Sequence, residues 1–313
     1  MTGTHVEMPY PWVSYSDCRT FFSCKLKFKL SKLDGLKSDY EFDWLRRGSD
    51  IHLIFNAFFE EVNLDNVVEL ASRIRVLDTP NDTLLYAYFI ETCLQLAGKG
   101  YLLETEKKPH MYTLNIQGFC HFQVECIISI MATMRRISKA MLSKYWVPKG
   151  REIFLKDFEN KLYGTIDTWY EDFDGGNFIL DYKTGKKHPS ITRSGSKKKP
   201  ALHFPQNMQV WFYTRLLSLH LGIPWNGMKG IVLWTKEYPV PVTLKIIKGS
   251  QEGLFKRVKE IRDHVDQKKP WNRCYEEDET SMWFVCPYCD HQARCHLPTV
   301  LEKFAEIRQD DGN

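Results

Sequence analysis

The stretch LYGTIDTWYEDFDGGNFILDYKTGKK runs from Leu162 to Lys187. Two runs rich in β-branched and aromatic residues flank a polar, glycine-containing centre, EDFDGGN. That pattern predicts a strand, a tight turn and a second strand. Asp167 falls on the first strand. Asp181 and Lys183 fall on the second, two apart, so their side chains leave the same face of a sheet. A carboxylate in an otherwise apolar strand, Phe178-Ile179-Leu180-Asp181, is costly to bury unless something pairs with it. Two carboxylates from paired strands, with a lysine beside them, form a socket suited to a hard cation and an activated water. The plain alternative is a surface ion pair on an edge strand, which carries little meaning.

Downstream, KTGKKHPSITRSGSKKKP interleaves Lys186, Lys187, Arg193, Lys197, Lys198 and Lys199 with Ser, Gly and Pro. This reads as a basic loop directly after the acidic strand, either merely solvated or in contact with phosphates. Residues 205–221 predict a helix that starts at Pro205, with Met208, Trp211, Phe212, Leu216 and Leu219 on its apolar face. Gln209 and Tyr213 are four apart and share one face of it, where their polar tips can point at the hairpin. Two strands follow, GIVLWTK and VTLKIIK, and then a helix over residues 250–267. Upstream, residues 150–161 predict a strand entering the hairpin. Glu152 within it reads as a solvated strand-start acid, with a secondary acidic role as the alternative.

The first half of the chain predicts helices. Ser14 or Ser16 can cap a short helix ending at Cys24. Residues 40–62 form an amphipathic pattern that carries Gly48 and His52. His52 is either a packing histidine or a metal ligand through neutral imidazole. Residues 63–148 are helical by period, with one long core helix expected over Phe122–Lys144. His110, Cys120, His121 and Cys126 match no standard zinc-finger spacing.

Near the C-terminus, Cys286-Pro-Tyr-Cys289-Asp-His-Gln-Ala-Arg-Cys295-His296 gathers three thiolates, which predicts a metal centre. The fourth ligand is open between His296, giving a zinc site, and a distant cysteine such as Cys24, giving an iron–sulfur cluster.

At 313 residues the chain can bury a sizeable core, and 43% hydrophobic with 26% charged residues is a globular composition. A net charge of +4 is too small to argue for nucleic acid, so that case rests on local clusters. No apolar run is long enough to span a membrane, and MTGTHVEMPYPWVSY is not the pattern of a secretory signal. Nine cysteines, an odd number, then fit thiols in a reducing compartment better than disulfides. The expected location is the cytoplasm or another intracellular compartment that contains DNA.

Taken in order, these motifs resemble the RecB-like exonuclease branch of the PD-(D/E)XK nuclease superfamily. The likeness is to its iron–sulfur members, such as the CRISPR-associated RecB-like exonuclease and the AddB nuclease domain. The resemblance rests on Gly48-Ser-Asp-Ile-His52, Gly164-Thr-Ile-Asp167, Asp181-Tyr182-Lys183-Thr-Gly185, Gln209-Val-Trp-Phe-Tyr213 and the cysteine pattern, spanning residues 13 to 296. It implies an α/β fold: a central mixed sheet flanked by helices (the restriction-endonuclease-like core), with an N-terminal helical region and a C-terminal cysteine cluster. The implied division is residues 1–149, a nuclease core at 150–270, and a cysteine segment at 271–313 joined to the Cys24 region. His52, Asp167, Asp181 and the Tyr182 backbone carbonyl would hold Mg²⁺ or Mn²⁺, with Lys183, Gln209 and Tyr213 completing the catalytic set. Cys24, Cys286, Cys289 and Cys295 would hold a 4Fe–4S cluster. Here Cys24 is followed by Lys25, where the family usually has proline, and Cys18 lies close by. The implied function is a metal-dependent DNA nuclease. The expected form is a single-strand exonuclease in repair, recombination or processing, partnered by a helicase or recombination protein because no Walker A motif is present. The alternative is an inactive nuclease-like module that binds DNA or protein.

Overall fold

The computed structural model describes residues 8–37, 43–74, 82–101, 110–185, 206–236, 242–246, 248–273, 289, 291 and 295. Lys186, Lys187, Arg193, Lys197, Lys198, Lys199, Pro205, Cys286 and His296 lie outside the described residues.

The chain enters through α1 (Tyr15–Ser23). Ser14 and Asp17 form a capping box, in which the Asp17 N–H donates to Ser14 Oγ at 3.1 Å and the Ser14 N–H donates to Asp17 Oδ2 at 2.8 Å. Cys24 closes α1 and opens α2 (Lys25–Phe28), its Sγ accepting the Lys27 N–H at 3.4 Å. The helical region follows as α3 (Asp43–Glu61), α4 (Leu64–Ser72), α5 (Asp82–Leu96), α6 (His110–Met134) and α7 (Lys139–Tyr145).

The single helix expected over Phe122–Lys144 is in fact two. Helix α6 stops at Met134, Arg135 takes φ 58°, and Ser138 caps α7 by accepting the Met141 N–H at 3.3 Å. Ile137 packs on the same core as α6, so the apolar pattern carries through the break and hides it.

The sheet is built from β1 (Gly150–Asp157), β2 (Leu162–Glu171), β3 (Asn177–Lys183), β4 (Lys229–Trp234) and β5 (Val242–Lys245), in that spatial order. The strand expected over 150–161 ends at Asp157, because the Asp157 carboxylate accepts the Asn160 N–H at 3.0 Å and turns the chain. The β2–β3 turn is the expected one. Asp172 donates its N–H to the Gly176 carbonyl at 2.7 Å, and Gly175 supplies φ 77°, which suits glycine. Strands β1, β2 and β3 are antiparallel neighbours, β3 and β4 are parallel, and β4 and β5 are antiparallel. The parallel pair needs a crossover, and α8 (Gln206–Leu221) lies within it; α9 (Lys248–Asp266) follows β5. The sheet is therefore mixed and flanked by helices. Among the described residues, no helix is long and apolar enough to cross a membrane.

Two cores sit on opposite faces of the sheet. Helices α3 to α7 pack on Tyr170, Leu180, Tyr182 and Leu233. Helices α1, α8 and α9 pack on Leu155, Ile166, Ile179 and Val232. The period-two alternation of β3 sends Leu180 and Tyr182 to the first face, and so aims Asp181 and Lys183 at the α8 side. Ile166 and Trp169, three apart on β2, pack on the same side. The alternation therefore breaks between them, where Asp167 lies.

Candidate metal centre

One stripe of α3 faces this break. Gly48, His52, Asn56 and Glu60 recur every four residues and share a helix face. His52 Nδ1 lies 3.5 Å from Asp167 Oδ1. Asn56 Nδ2 donates to Glu152 Oε1 at 2.8 Å, and the Arg151 guanidinium donates to the Asn56 carbonyl and, at 3.1 Å, to Glu60 Oε1. A Cβ on Gly48 would stand 3.4 Å from Thr184 Oγ1, so the start of the stripe passes against the chain just beyond β3.

Asp167 also reaches sideways. Its Oδ2 accepts the Tyr182 N–H at 2.9 Å. The β2–β3 ladder runs as far as Thr168↔Leu180, so a carboxylate takes a backbone donor where the two strands part. Asp181, on the far side of that opening, is 2% exposed. Its Oδ2 pairs with Lys183 Nζ at 2.6 Å. Lys183 Nζ donates to Gln209 Oε1 at 2.9 Å, and Gln209 Nε2 donates to the Tyr213 hydroxyl at 3.3 Å. The α8 pair thus reaches the lysine as the shared helix face anticipated. Gly164 allows it: a Cβ there would stand 2.9 Å from Tyr213 Cε1 and 3.3 Å from Leu216 Cδ1.

The two aspartates are driven apart in acidity. Burial pushes the Asp181 carboxyl up and the Asp167 charge adds to this, outweighing the Lys183 ammonium. Burial also works against ionised Asp167, but His52 and Lys183 outweigh it and hold that carboxyl below its usual value. For His52, burial would favour the neutral ring, yet Asp167 prevails and raises its pKa. Carboxylates whose environments separate their pKa values are a common sign of divided acid–base labour. Oxygen donors with one imidazole suit Mg²⁺ or Mn²⁺. A carboxylate oxygen has more than one lone pair, so Asp181 Oδ2 can take a cation beside Lys183 Nζ.

Two further sets of residues stand at this site: Glu152, for which the sequence left a secondary acidic role open, and a pair that the sequence reading missed. Glu152 joins it: ligand atoms of His52, Glu152 and Asp167 all lie within 4.8 Å of one another, while Asp181 stands outside that group. The register sets residue 152 level with Asp167, between the pairs Arg151↔Thr168 and Ile153↔Ile166. The second set is Asn115 and Thr235. The Thr235 N–H donates to the Lys183 carbonyl at 3.0 Å, and Thr235 Oγ1 donates to Asn115 Oδ1 at 2.6 Å. Both residues are buried and tie the end of β3 to α6.

Away from this centre, Cys24 and Cys289 are electrostatic neighbours of Cys295. Burial raises the Cys295 pKa, Arg273 opposes this, and the other two thiols raise it further. The chain ends also meet nearby, where the Leu26 N–H donates to the Asn272 carbonyl at 3.2 Å and Phe28 stacks on Trp271. Cys18 instead sits in the core beneath the α8 face of the sheet.

No curated protein matches the chain. Among solved structures, it is similar to a protein from Eubacterium rectale named provisionally as an exonuclease, at 13% identity and a TM-score of 0.42, covering 84% of this chain and 85% of that one. A likeness at that level carries no argument. The family model of the PD-(D/E)XK nuclease superfamily matches residues 12–296, and the chain belongs to that superfamily.

Proposed function

We propose that this nuclease is a Mg²⁺- or Mn²⁺-dependent deoxyribonuclease, a single-strand DNA exonuclease working in repair, recombination or DNA processing. The observation that supports it most is the placing of Lys183: 2.6 Å from Asp181 Oδ2 and 2.9 Å from Gln209 Oε1, with Asp167 and His52 alongside. His52, Asp167, Asp181 and the Tyr182 carbonyl would hold the cation. A bound divalent ion lowers the pKa of its water and offsets charge on the scissile phosphate. As the ammonium that meets Asp181, Lys183 would orient the attacking water and stabilise negative charge gathering on the phosphoryl oxygens; to take the water's proton it would first give its own to Asp181. The water oxygen bonds to phosphorus and gives up a proton, the bond to the leaving sugar oxygen breaks, and that oxygen takes up a proton from solvent. Gln209, backed by Tyr213, would hold the lysine in register.

The basic loop with Lys186, Lys187, Arg193, Lys197, Lys198 and Lys199 would follow the strand backbone. Cys24, Cys286, Cys289 and Cys295 would hold a structural 4Fe–4S cluster, tying the N-terminal segment and the residues after 270 to the core at 150–270. A helicase or recombination protein would supply the unwound strand.

The test is loss of end-labelled single-stranded DNA with Mn²⁺, Mg²⁺ or EDTA, using 5′ and 3′ labels and a circular control. Metal-dependent loss of linear but not circular strands is expected, with Asp181→Asn and Lys183→Ala inactive. Cutting of circles would make the enzyme an endonuclease. No cleavage with either metal would leave a binding module.

A further inference from the structure

The nuclease reading uses two acids, yet a third stands at the same opening. Glu152 has an exposed side chain at the mouth of the site, on β1 level with Asp167. Three observations set it apart from an ordinary surface carboxylate.

The first is its company. Ligand atoms of His52, Glu152 and Asp167 lie within 4.8 Å of one another. A single ion with oxygen bonds of about 2.0–2.6 Å spans ligand atoms up to roughly 4–5 Å apart. The second is its backbone. Glu152 has φ 47°, a left-handed conformation that L side chains rarely adopt and that glycine takes freely. Nothing in a plain strand calls for a glutamate there. The conformation coincides with the break in side-chain alternation across β1 and β2, and it brings the carboxylate round to His52 and Asp167. The third is its anchoring. Asn56 Nδ2 holds Oε1 at 2.8 Å, and Asn56 is one turn from His52 on the same face of α3. One helix therefore positions two members of the group. Behind them, Asp181 is 2% exposed, its Oδ2 is held by Lys183 Nζ at 2.6 Å, and its charge acts on both Asp167 and His52.

We propose that Glu152 is a cation ligand and that two ions bind in place of the single site proposed above: His52, Glu152 and Asp167 hold one, and Asp167, Asp181 and the Tyr182 carbonyl hold the other, so His52 belongs to the Glu152 position. Asp167 is then the shared carboxylate of a two-ion centre, with Glu152 holding the ion nearer solvent. Two ions sharing a carboxylate can clamp the attacking and leaving oxygens of an in-line displacement. This inference rests on the nuclease reading of the site.

The test measures metal binding, independently of cleavage. The full chain is titrated with Mn²⁺ by calorimetry, and bound Mn²⁺ is counted by electron paramagnetic resonance, for the wild type and for Asp167→Asn, Glu152→Gln and Glu152→Gly. Glu152→Gln keeps the shape and the Asn56 contact but removes the charge. It is expected to weaken one Mn²⁺ site about tenfold or more. Glu152→Gly is expected to weaken the same site while the metal-free protein melts no lower than wild type, because glycine relieves the backbone. A purely structural glutamate would show the reverse, with a lower melting temperature and unchanged Mn²⁺ binding, and that result overturns the proposal. Wild-type affinity and stoichiometry in Glu152→Gln, with binding lost in Asp167→Asn, overturns the Glu152 assignment alone. No Mn²⁺ binding by the wild type overturns the metal-centre reading and this inference together.

Discussion

Replacing Gly118 with alanine adds one carbon where α6 and the end of β4 leave no room. An ideal Cβ at Gly118 would lie 1.9 Å from the Thr235 carbonyl oxygen, 2.8 Å from its carbon and 3.2 Å from its Cα. These are backbone atoms, so no rotamer change relieves the overlap. Restoring ordinary contact needs the helix and strand to separate by roughly 1.5 Å. Overpacking of this kind costs about 1–3 kcal/mol. Separation also stretches the hydrogen bonds from Thr235 to the Lys183 carbonyl and to Asn115, each worth about 1 kcal/mol. Against this, alanine in a helix interior gains about 1 kcal/mol over glycine. The balance is a loss of about 2–4 kcal/mol, a fall in melting temperature of about 3–6 °C for a chain of this size. Gly253→Ala is the control. It lies inside α9 with nothing within 4 Å of its Cβ position, so only the propensity gain acts and the protein should melt slightly higher. Thermal unfolding followed by circular dichroism reads both. A Gly118→Ala protein that melts at or above wild type would refute the close approach of α6 to β4. Cleavage should fall along with stability, since Thr235 holds the carbonyl of Lys183.

Other expectations test separate parts of the molecule. Gly164→Ala should displace the Tyr213 ring and lower cleavage about tenfold or more with Mn²⁺ affinity unchanged, because Tyr213 acts on Gln209 rather than on the cation; unaltered cleavage would remove Tyr213 from the positioning set. Asp172 anchors the β2–β3 turn through Lys229 at 2.8 Å and the Gly176 N–H at 2.6 Å. Burial disfavours its charge, but these partners prevail and hold its pKa below the usual value. A lowered folded pKa contributes stability present above about pH 4 and lost as the pH falls through the folded value. Asp172→Asn should therefore melt about 0.5–1.5 °C lower at neutral pH, a small effect for a solvent-screened pair. That gap should close as the pH falls below about 4; a constant gap down to pH 2 would contradict the linkage. Cys289→Ser should abolish the brown visible absorbance of a 4Fe–4S protein and lower the melting temperature. A colourless wild type containing zinc would replace the iron–sulfur proposal.

The elements nearest the site were largely legible one segment at a time. Strand alternation placed Asp181 and Lys183 on one face, and helical spacing placed Gln209 and Tyr213 together. A serine before Tyr15 and a glycine at 175 marked a helix start and a turn. What failed was where one local pattern overran another. The apolar period continued through Arg135, hiding the end of α6, and the β-like run after Gly150 hid the turn at Asp157. Glu152 kept two readings in the sequence because its neighbours there are those of a surface strand.

The sequence by itself determined which residues could form the centre, since side-chain chemistry and short-range periodicity are properties of neighbours along the chain. Only the tertiary structure decided which of them meet. The parallel pairing of β3 with β4 carries α8 over the sheet, so that Gln209 reaches Lys183. The stripe of α3 selects Glu152 rather than Asp181 as the third member of the group around His52 and Asp167. Cys24 comes beside Cys289 and Cys295 from the other end of the chain. Such meetings depend on loop closure and on the packing of two cores against opposite faces of one sheet, and those are settled by the whole chain's buried surface rather than by any window of it.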